Sequence, residues 1–163
     1  MLFNKSQENF KSLYRSHAAS LQRFIQGMVK NSSVAEELTQ ESFLKAWKAL
    51  PQFGFKSTLK TWVYSVALNT ARDWLRSHRH SIEWNEINET IDKTESPETR
   101  AVREGLSQLD EDTRALLMLH YYDDLTQKEM GIILKIPEGT VKSRLFKAKG
   151  ALKQILLQQG FDV

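Results

Sequence analysis

A stripe of polar and aromatic side chains in the first half of the sequence suits nucleic-acid chemistry. Its members recur every three or four residues between Thr58 and Arg76, and they are Trp62, Ser65, Asn69, Arg72 with Asp73, and Arg76. An indole can stack on an unpaired base, an amide can bond the edge of that base, and guanidinium groups can hold phosphates. Lys56 and Lys60 add positive charge beside the stripe. The stripe predicts binding of single-stranded nucleic acid, although a tryptophan at helical spacing is by itself more often a core residue.

A basic segment near the carboxyl end, from Glu138 onward, has the spacing of a second nucleic-acid-binding face. Apolar residues recur every three or four positions and are predicted to face the core: Val141, Leu145, Ala148, Leu152 and Ile155. At about 100° per residue, the opposite side then holds Gly139, Ser143, Phe146 and Lys147, with Thr140, Lys142 and Arg144 flanking them. An exposed phenylalanine ring suits contact with thymine methyls, and the cations suit phosphates. The face therefore predicts contact with duplex DNA.

A third candidate surface is a run of acids and amides between Val34 and Leu50. Two neighbouring columns at i,i+4 spacing contain the polar residues: Glu36 with Gln40, and Glu37 with Glu41 and Lys45. The apolar side comprises Phe43, Ala46, Trp47 and Leu50. Acids also suit the amino terminus of a helix through its macrodipole. The columns alone therefore fit either a solvated helix start or a patch for a basic partner.

All three surfaces require helices, and helical signals extend along almost the whole sequence. Apolar residues recur with a period near 3.6, and only 7 Gly and 3 Pro interrupt 163 residues. Capping residues predict four helix starts: the boxes Ser33-x-x-Glu36 and Thr126-x-x-Glu129, Ser57 or Thr58, and Ser96 before Pro97. Pro51 is expected to stop the helix that opens with the first box. From Leu125 onward, a capped short helix, a turn and a second helix opening at Pro137 predict a helix-turn-helix.

Charge divides the chain into two lobes and a connecting segment. Residues 81–98 contain six acidic residues against one basic residue, with few apolar side chains for a core. This composition is typical of a linker. The sequence therefore predicts an all-α protein with two small helical domains, residues 1–80 and 97–163, joined by a flexible acidic linker at residues 81–96.

Composition also excludes several classes of function. Cysteine is absent, which excludes disulfides, thiolate nucleophiles and cysteine-ligated metal sites. The four histidines have no metal-binding spacing, so we expect neither a metal nor a cofactor. The longest apolar runs are too short to cross a bilayer, and the amino terminus MLFNK lacks the apolar stretch of a signal peptide. These features favour a cytoplasmic binding protein over an enzyme.

The segments that carry the three surfaces resemble, in this order, the extracytoplasmic-function (ECF) sigma factors of the sigma-70 family. The stretches AEELTQESFLKAW (residues 35–47) and TWVYSVALNTARDWLR (residues 61–76) resemble conserved region 2, together with Phe10, Leu13, Tyr14 and Leu21. The stretch GTVKSRLFKAK (residues 139–149) resembles region 4, together with Leu106 and Leu109. The resemblance covers most of the chain apart from the linker and the last few residues.

The resemblance implies a non-enzymatic subunit that binds core RNA polymerase, directs it to particular promoters and helps to open the duplex. Docking on the coiled-coil clamp helices of the largest polymerase subunit is then expected from Glu36, Glu37, Gln40, Glu41 and Phe43. Binding of the melted −10 element is expected from the loop at residues 53–57 and from Lys56, Ser57, Lys60, Trp62, Asn69, Arg72 and Arg76. Reading of the duplex −35 element is expected from Gly139, Thr140, Lys142, Ser143, Arg144, Phe146, Lys147 and Lys149. The resemblance also suggests an anti-sigma factor that covers both domains.

Several residues of the predicted helix-turn-helix lobe depart from the family pattern. Lys135 stands where family members usually have Gly in the turn, and Gly131 stands where they usually have Ala. A lysine in the left-handed conformation costs about 1 kcal/mol, and glycine inside a helix costs about as much, so some loss of stability is expected. At three further positions where Arg is common in the family, this chain has Lys: Lys142, Lys147 and Lys149. Lysine is less suited than arginine to bidentate contact with guanine, so these positions favour phosphate contact.

Two other functions fit parts of the sequence. A stand-alone helix-turn-helix transcriptional regulator would need no polymerase, but a dimeric one should have a self-complementary apolar helix face. A metal-dependent nuclease would need clustered carboxylates. The densest ones are expected to be cap and loop residues: Asp110, Asp112, Asp123 and Asp124.

Overall fold

The computed structural model describes residues 2–78 and 95–163, and all regular secondary structure within these ranges is helical. The chain divides into two compact units, Met1–Ile87 and Asn88–Val163. The prediction of an all-α protein with two helical domains is therefore confirmed. Most of the acidic linker predicted at residues 81–96 lies outside the described residues. Across the two described ranges, no helix combines the length and apolarity needed to span a bilayer.

The described part of the first unit is a bundle of α1 (Leu2–Val29), α2 (Ser32–Ala49) and α3 (Leu59–Ser77), with a 3₁₀ turn at Leu50–Gln52 after α2. Each of these helices packs against the other two. At the centre of the core, the ring of Phe24 on α1 lies 5.8 Å from the ring of Tyr64 on α3, and both side chains are fully buried. Burial of these apolar sides turns the polar sides of α2 and α3 towards solvent.

The described part of the second unit contains α4 (Pro97–Ser107), α5 (Glu111–Tyr122), α6 (Gln127–Leu134) and α7 (Glu138–Gln158). Helix α7 is central, because α4, α5 and α6 all pack on it. Its buried stripe comprises Val141, Leu145, Ala148, Leu152 and Leu156. The first four were predicted, but the fifth is a correction, since Ile155 is only half-buried. Near the carboxyl end of α7, α4 packs close to both residues, and Leu156 takes the more enclosed position.

Three of the four predicted helix starts are confirmed by capping hydrogen bonds. The side chain of Thr58 accepts a bond of 3.1 Å from the Thr61 amide at the start of α3. Ser96 accepts in the same way at the start of α4, with Pro97 in the first position of the helix. The capping box that opens α6 has both of its hydrogen bonds.

The start of α2 differs from the prediction. Asn31 caps the helix by accepting a 3.0 Å bond from the Val34 amide, and α2 begins at Ser32. The predicted box from Ser33 is therefore wrong. Lys30 has a φ of 57°, which ends α1 and turns the chain so that the asparagine side chain is already placed as the acceptor.

Two of the residues that depart from the family pattern, Gly131 in α6 and Lys135 after it, shape the turn between α6 and α7. Lys135 has a φ of 55° in the left-handed region, as predicted. The Ile136 amide donates a 3.0 Å hydrogen bond to the Gly131 carbonyl. A Cβ atom on Gly131 would lie 2.8 Å from the Ile136 carbonyl oxygen, which is too close for van der Waals contact. The close turn therefore explains glycine at this position, because a residue without a Cβ atom lets the chain fold back tightly against α6.

Candidate functional site

The acidic columns of α2 lie on its solvent side. Glu36, Glu37, Gln40 and Glu41 are exposed, as predicted. Glu41 forms an i,i+4 ion pair of 2.6 Å with Lys45, and both side chains are about half exposed. A pair in this setting stabilises the helix only slightly, so a basic partner can compete for the carboxylate. The surface therefore combines negative charge with an amide in a position that a positively charged surface can reach.

Phe43 does not belong to this exposed surface. Its side chain is 5% exposed, and its ring centroid lies 6.0 Å from that of Phe10 and 4.8 Å from that of Tyr14, both on α1. The residue faces α1 because it lies on the same side of the helix as the buried Ala46 and Leu50. The docking role expected for Phe43 stays a prediction, and this burial leaves its ring little surface for direct contact with a partner. The ring instead holds α2 against α1 and so positions the acidic surface.

The mixed stripe of α3 is exposed to different degrees along its length. Trp62 is half-buried, with its ring 4.9 Å from that of Phe53, so the side chain packs and also keeps part of its surface in solvent. Asn69 is exposed. Arg76 is also exposed and lies 3.3 Å from Asp73, in a surface pair that a phosphate can replace. The remaining predicted residues of this site are exposed in one case, Lys56, and half-buried in the others, Ser57, Lys60 and Arg72.

The loop before α3 contains an aromatic residue that was not singled out from the sequence. Phe55 is 66% exposed and has a φ of 56°. Its ring lies 4.8 Å from that of Phe53, which in turn lies beside Trp62. A bulky side chain in the left-handed region is strained, and an exposed ring gains nothing from burial. Phe53 is buried, at 8% exposure, so bases can stack only on the exposed ring of Phe55 and the half-buried ring of Trp62, next to Lys56.

The outer face of α7 matches the sequence prediction closely. Phe146 is 82% exposed, which confirms that its ring points away from the core. Ser143 is exposed as well, and its hydroxyl donates a 3.1 Å bond to the Thr140 carbonyl. A Cβ atom on Gly139 would meet nothing within 4 Å, so the start of the helix is open to an approaching backbone. The cations of this face are all exposed: Lys142, Arg144, Lys147 and Lys149.

A histidine lies next to this basic face. His120 is in the last turn of α5, and its pKa lies below the ordinary value because burial disfavours its charged form and Lys149 repels it. The imidazole is therefore neutral at neutral pH. The positive charge of the face comes from lysine and arginine side chains.

The carboxylates considered for a nuclease site lie at the ends of α5 and just after it. Asp110 caps α5, and hydrogen bonds from the Thr113 side chain and amide lower its pKa. Asp123 ends the same helix, and Asp124 has a φ of 47° in the following turn. Over the parts of the chain that the structure describes, no three histidine, aspartate or glutamate side chains come together as a metal site would require.

Both units match known protein families. Residues 13–81 match the family model for Sigma-70 region 2, and residues 99–152 match the model for Sigma-70, region 4. The probable RNA polymerase sigma factor RfaY of Xanthomonas campestris is 32% identical over 148 residues, which cover 83% of this chain and 37% of that protein. The RNA polymerase sigma-H factor of Pseudomonas aeruginosa is 32% identical over 146 residues, covering 78% of this chain and 76% of that protein.

A relative of the ECF type and a solved structure extend these matches. The ECF RNA polymerase sigma-E factor of Salmonella typhimurium is 34% identical over 134 residues, which cover 71% of this chain and 70% of that protein. The sigma factor RpoE from Bartonella quintana, solved in complex with the anti-sigma factor NepR, superposes with a TM-score of 0.76 at 22% identity. That match covers 91% of this chain and 97% of the solved chain, and it concerns the fold alone.

Proposed function

The chain belongs to the extracytoplasmic-function sigma factors of the sigma-70 family, and from this membership we propose which of its surfaces performs each step of transcription initiation. As an RNA polymerase sigma factor, it binds core enzyme and promoter DNA. The proposal assigns core binding to the acidic face of α2, single-strand binding to α3 with the loop before it, and duplex reading to α7.

Core binding rests on the charge and exposure of α2. Glu36, Glu37, Gln40 and Glu41 are exposed in neighbouring columns, and their negative charge suits a basic helical surface. In the family, the matching helix docks on the coiled-coil clamp helices of the largest polymerase subunit. Phe43 supports this surface from behind through its contacts with α1.

Binding of the melted −10 element rests on rings, an amide and cations that lie in and after one loop. The exposed ring of Phe55 and the half-buried ring of Trp62 both pack against the buried Phe53, and Asn69 is exposed two turns further along α3. Base stacking on rings and an amide contact act only on unpaired bases. The proposed phosphate-binding and supporting residues are Lys56, Ser57, Lys60, Arg72 and Arg76.

Reading of the −35 element rests on α7. Phe146 and Ser143 occupy the centre of its outer face, and the cations flank them. A helix in the major groove presents its central side chains to base edges and its flanking cations to phosphates. We therefore assign base reading to Ser143 and Phe146, with Gly139 and Thr140 at the open end. The assigned phosphate contacts are Lys142, Arg144, Lys147 and Lys149.

The observation that carries the proposal is the exposure of Phe146 at 82% on a basic helix. A large ring fully turned to solvent has no role in packing, and contact with DNA would give it a role.

Sigma factors are regulatory proteins, and we propose that this chain has no catalytic activity of its own and acts in the cytoplasm with polymerase. The proposed domain limits remain residues 1–80 and 97–163. An anti-sigma factor, as in the complex of the Bartonella relative, is a proposed antagonist.

We expect Glu37→Lys to weaken binding to core polymerase by about tenfold, because it places a cation against a basic partner surface. The measurement is competition with labelled wild-type protein for core enzyme. Glu8→Lys is the matched control, since Glu8 is an exposed glutamate on α1 of the same unit, and it should change affinity by less than about twofold. Equal affinities for both variants and the wild type would contradict the assignment of α2.

A further inference from the structure

Helix α2 exposes a single large apolar side chain in the middle of its polar face. Eight residues of α2 are exposed, and seven of them are polar or charged. The eighth is Leu44, which is 52% exposed. At about 100° per residue, Leu44 lies directly opposite the fully buried Ala35. It therefore occupies the centre of the outward face and not its margin.

The residues around Leu44 are mostly polar. On the helix surface its neighbours at three and four positions are Gln40, Glu41, Lys48 and the half-buried Trp47, and Glu37 lies two turns before it; the four polar residues are exposed. Single exposed leucines are common in soluble proteins, and leucine also favours helix formation. A central apolar side chain enclosed mostly by polar groups is, however, the arrangement of an interface hot spot, where the polar rim excludes water from the buried contact.

We propose that Leu44 is the apolar anchor of the surface that binds core polymerase, and that it inserts into an apolar recess of the partner helices. This inference rests on the proposed docking role of α2 and assigns to Leu44 the direct contact for which the buried Phe43 has little free surface. The partner is a helical surface with basic residues around an apolar recess, because Glu37 and Glu41 beside Leu44 require positive charge opposite them. Glutamine, lysine or glutamate at this position would keep the helix equally well, so the helix itself does not explain an exposed leucine.

The test is the affinity of Leu44→Gln and Leu44→Met for core polymerase, measured by competition beside Glu37→Lys. Leu44→Gln should lower the affinity for core polymerase by about tenfold, because the variant no longer buries half a leucine side chain in the complex. Leu44→Met keeps an apolar side chain and should stay within about threefold of wild type. Leu157→Gln is the control, since Leu157 is 41% exposed on α7 of the other unit, and it should stay within about twofold. Thermal unfolding should be unchanged for all of these variants, because each changed side chain is exposed.

Salt separates the anchor from the charged residues around it. Raising the ionic strength from about 0.1 M to about 1 M shortens the Debye length from about 10 Å to about 3 Å. The loss of affinity for core polymerase caused by Glu37→Lys should become smaller, while the loss caused by Leu44→Gln should persist. If Leu44→Gln binds like wild type while Glu37→Lys is weakened, the anchor is refuted and the docking surface stands. If neither is weakened, the docking role of α2 is refuted together with the anchor.

Discussion

Trp62→Ala will leave closed promoter complexes nearly unchanged and will slow promoter opening by about tenfold or more. The ring packs against Phe53, where it can receive a base only after the duplex has melted. One base–aromatic stack is worth about 1–3 kcal/mol, and that contribution is absent while the bases are paired. The measurement is the rate of opening, followed with a fluorescent base in the −10 element after the closed complex has formed.

The half-buried position of Trp62 requires controls for folding. Trp62→Phe keeps an aromatic ring beside Phe53 and should retain most of the opening rate. Asn69→Ala removes an exposed amide and should slow opening without loss of thermal stability. A pre-melted template should partly rescue both Trp62→Ala and Asn69→Ala. If Trp62→Ala unfolds the first unit and Asn69→Ala has no effect, the tryptophan is a core residue and the α3 face does not bind the open strand.

Phe146→Ala will change which −35 sequences the holoenzyme prefers, with about 1–3 kcal/mol lost at one or two base positions. The side chain is 82% exposed, so its removal should leave the stability of the second unit within about 0.5 kcal/mol. Ser143→Ala should alter preference at a neighbouring position, because its hydroxyl lies on the same outer face. The measurement is transcription of a promoter library by each reconstituted variant.

Lys149→Ala provides the contrast to these base-reading variants. Lys149 is exposed at the edge of the face, where its ammonium group can reach a phosphate but no base edge is required. All promoter variants should weaken alike, and the slope of log affinity against log salt should fall by about one unit. A uniform loss for Phe146→Ala, of the same kind as for Lys149→Ala, would mean that another side of α7 faces the groove.

The faces of α7 could be predicted because local rules determine them. The apolar stripe from Val141 to Leu152 has a clear helical period, so the direction of Phe146 follows from geometry alone. The left-handed Lys135 was expected from the resemblance, because family members usually have Gly at this position of the turn. The reason for glycine at position 131 could not be predicted, because only the folded turn shows that the Ile136 carbonyl oxygen leaves no space for a Cβ atom.

Several residues could not be assigned from the sequence, because their surroundings appear only in the folded chain. The helical period placed Phe43 on the apolar side of α2, and the structure shows that its ring packs on α1 while the neighbouring Leu44 is exposed. Asn31 competes with Ser33 as a helix cap, and the left-handed Lys30 decides in favour of Asn31. Phe55 is adjacent to Gly54 in a short loop, where sequence period gives no direction for a side chain. Pattern therefore predicts which helices form, while packing decides which side chains they present.

Binding of a labelled promoter duplex by the chain, with and without core RNA polymerase, tests the central assignment most directly. The free chain should bind weakly and with little sequence preference at physiological salt, because α7 offers few phosphate contacts and the α3 face needs unpaired bases. Addition of core enzyme should produce tight complexes that depend on both the −10 and −35 elements. Sequence-specific nanomolar binding by the isolated chain, unchanged by core enzyme, would contradict this account and identify a stand-alone regulator.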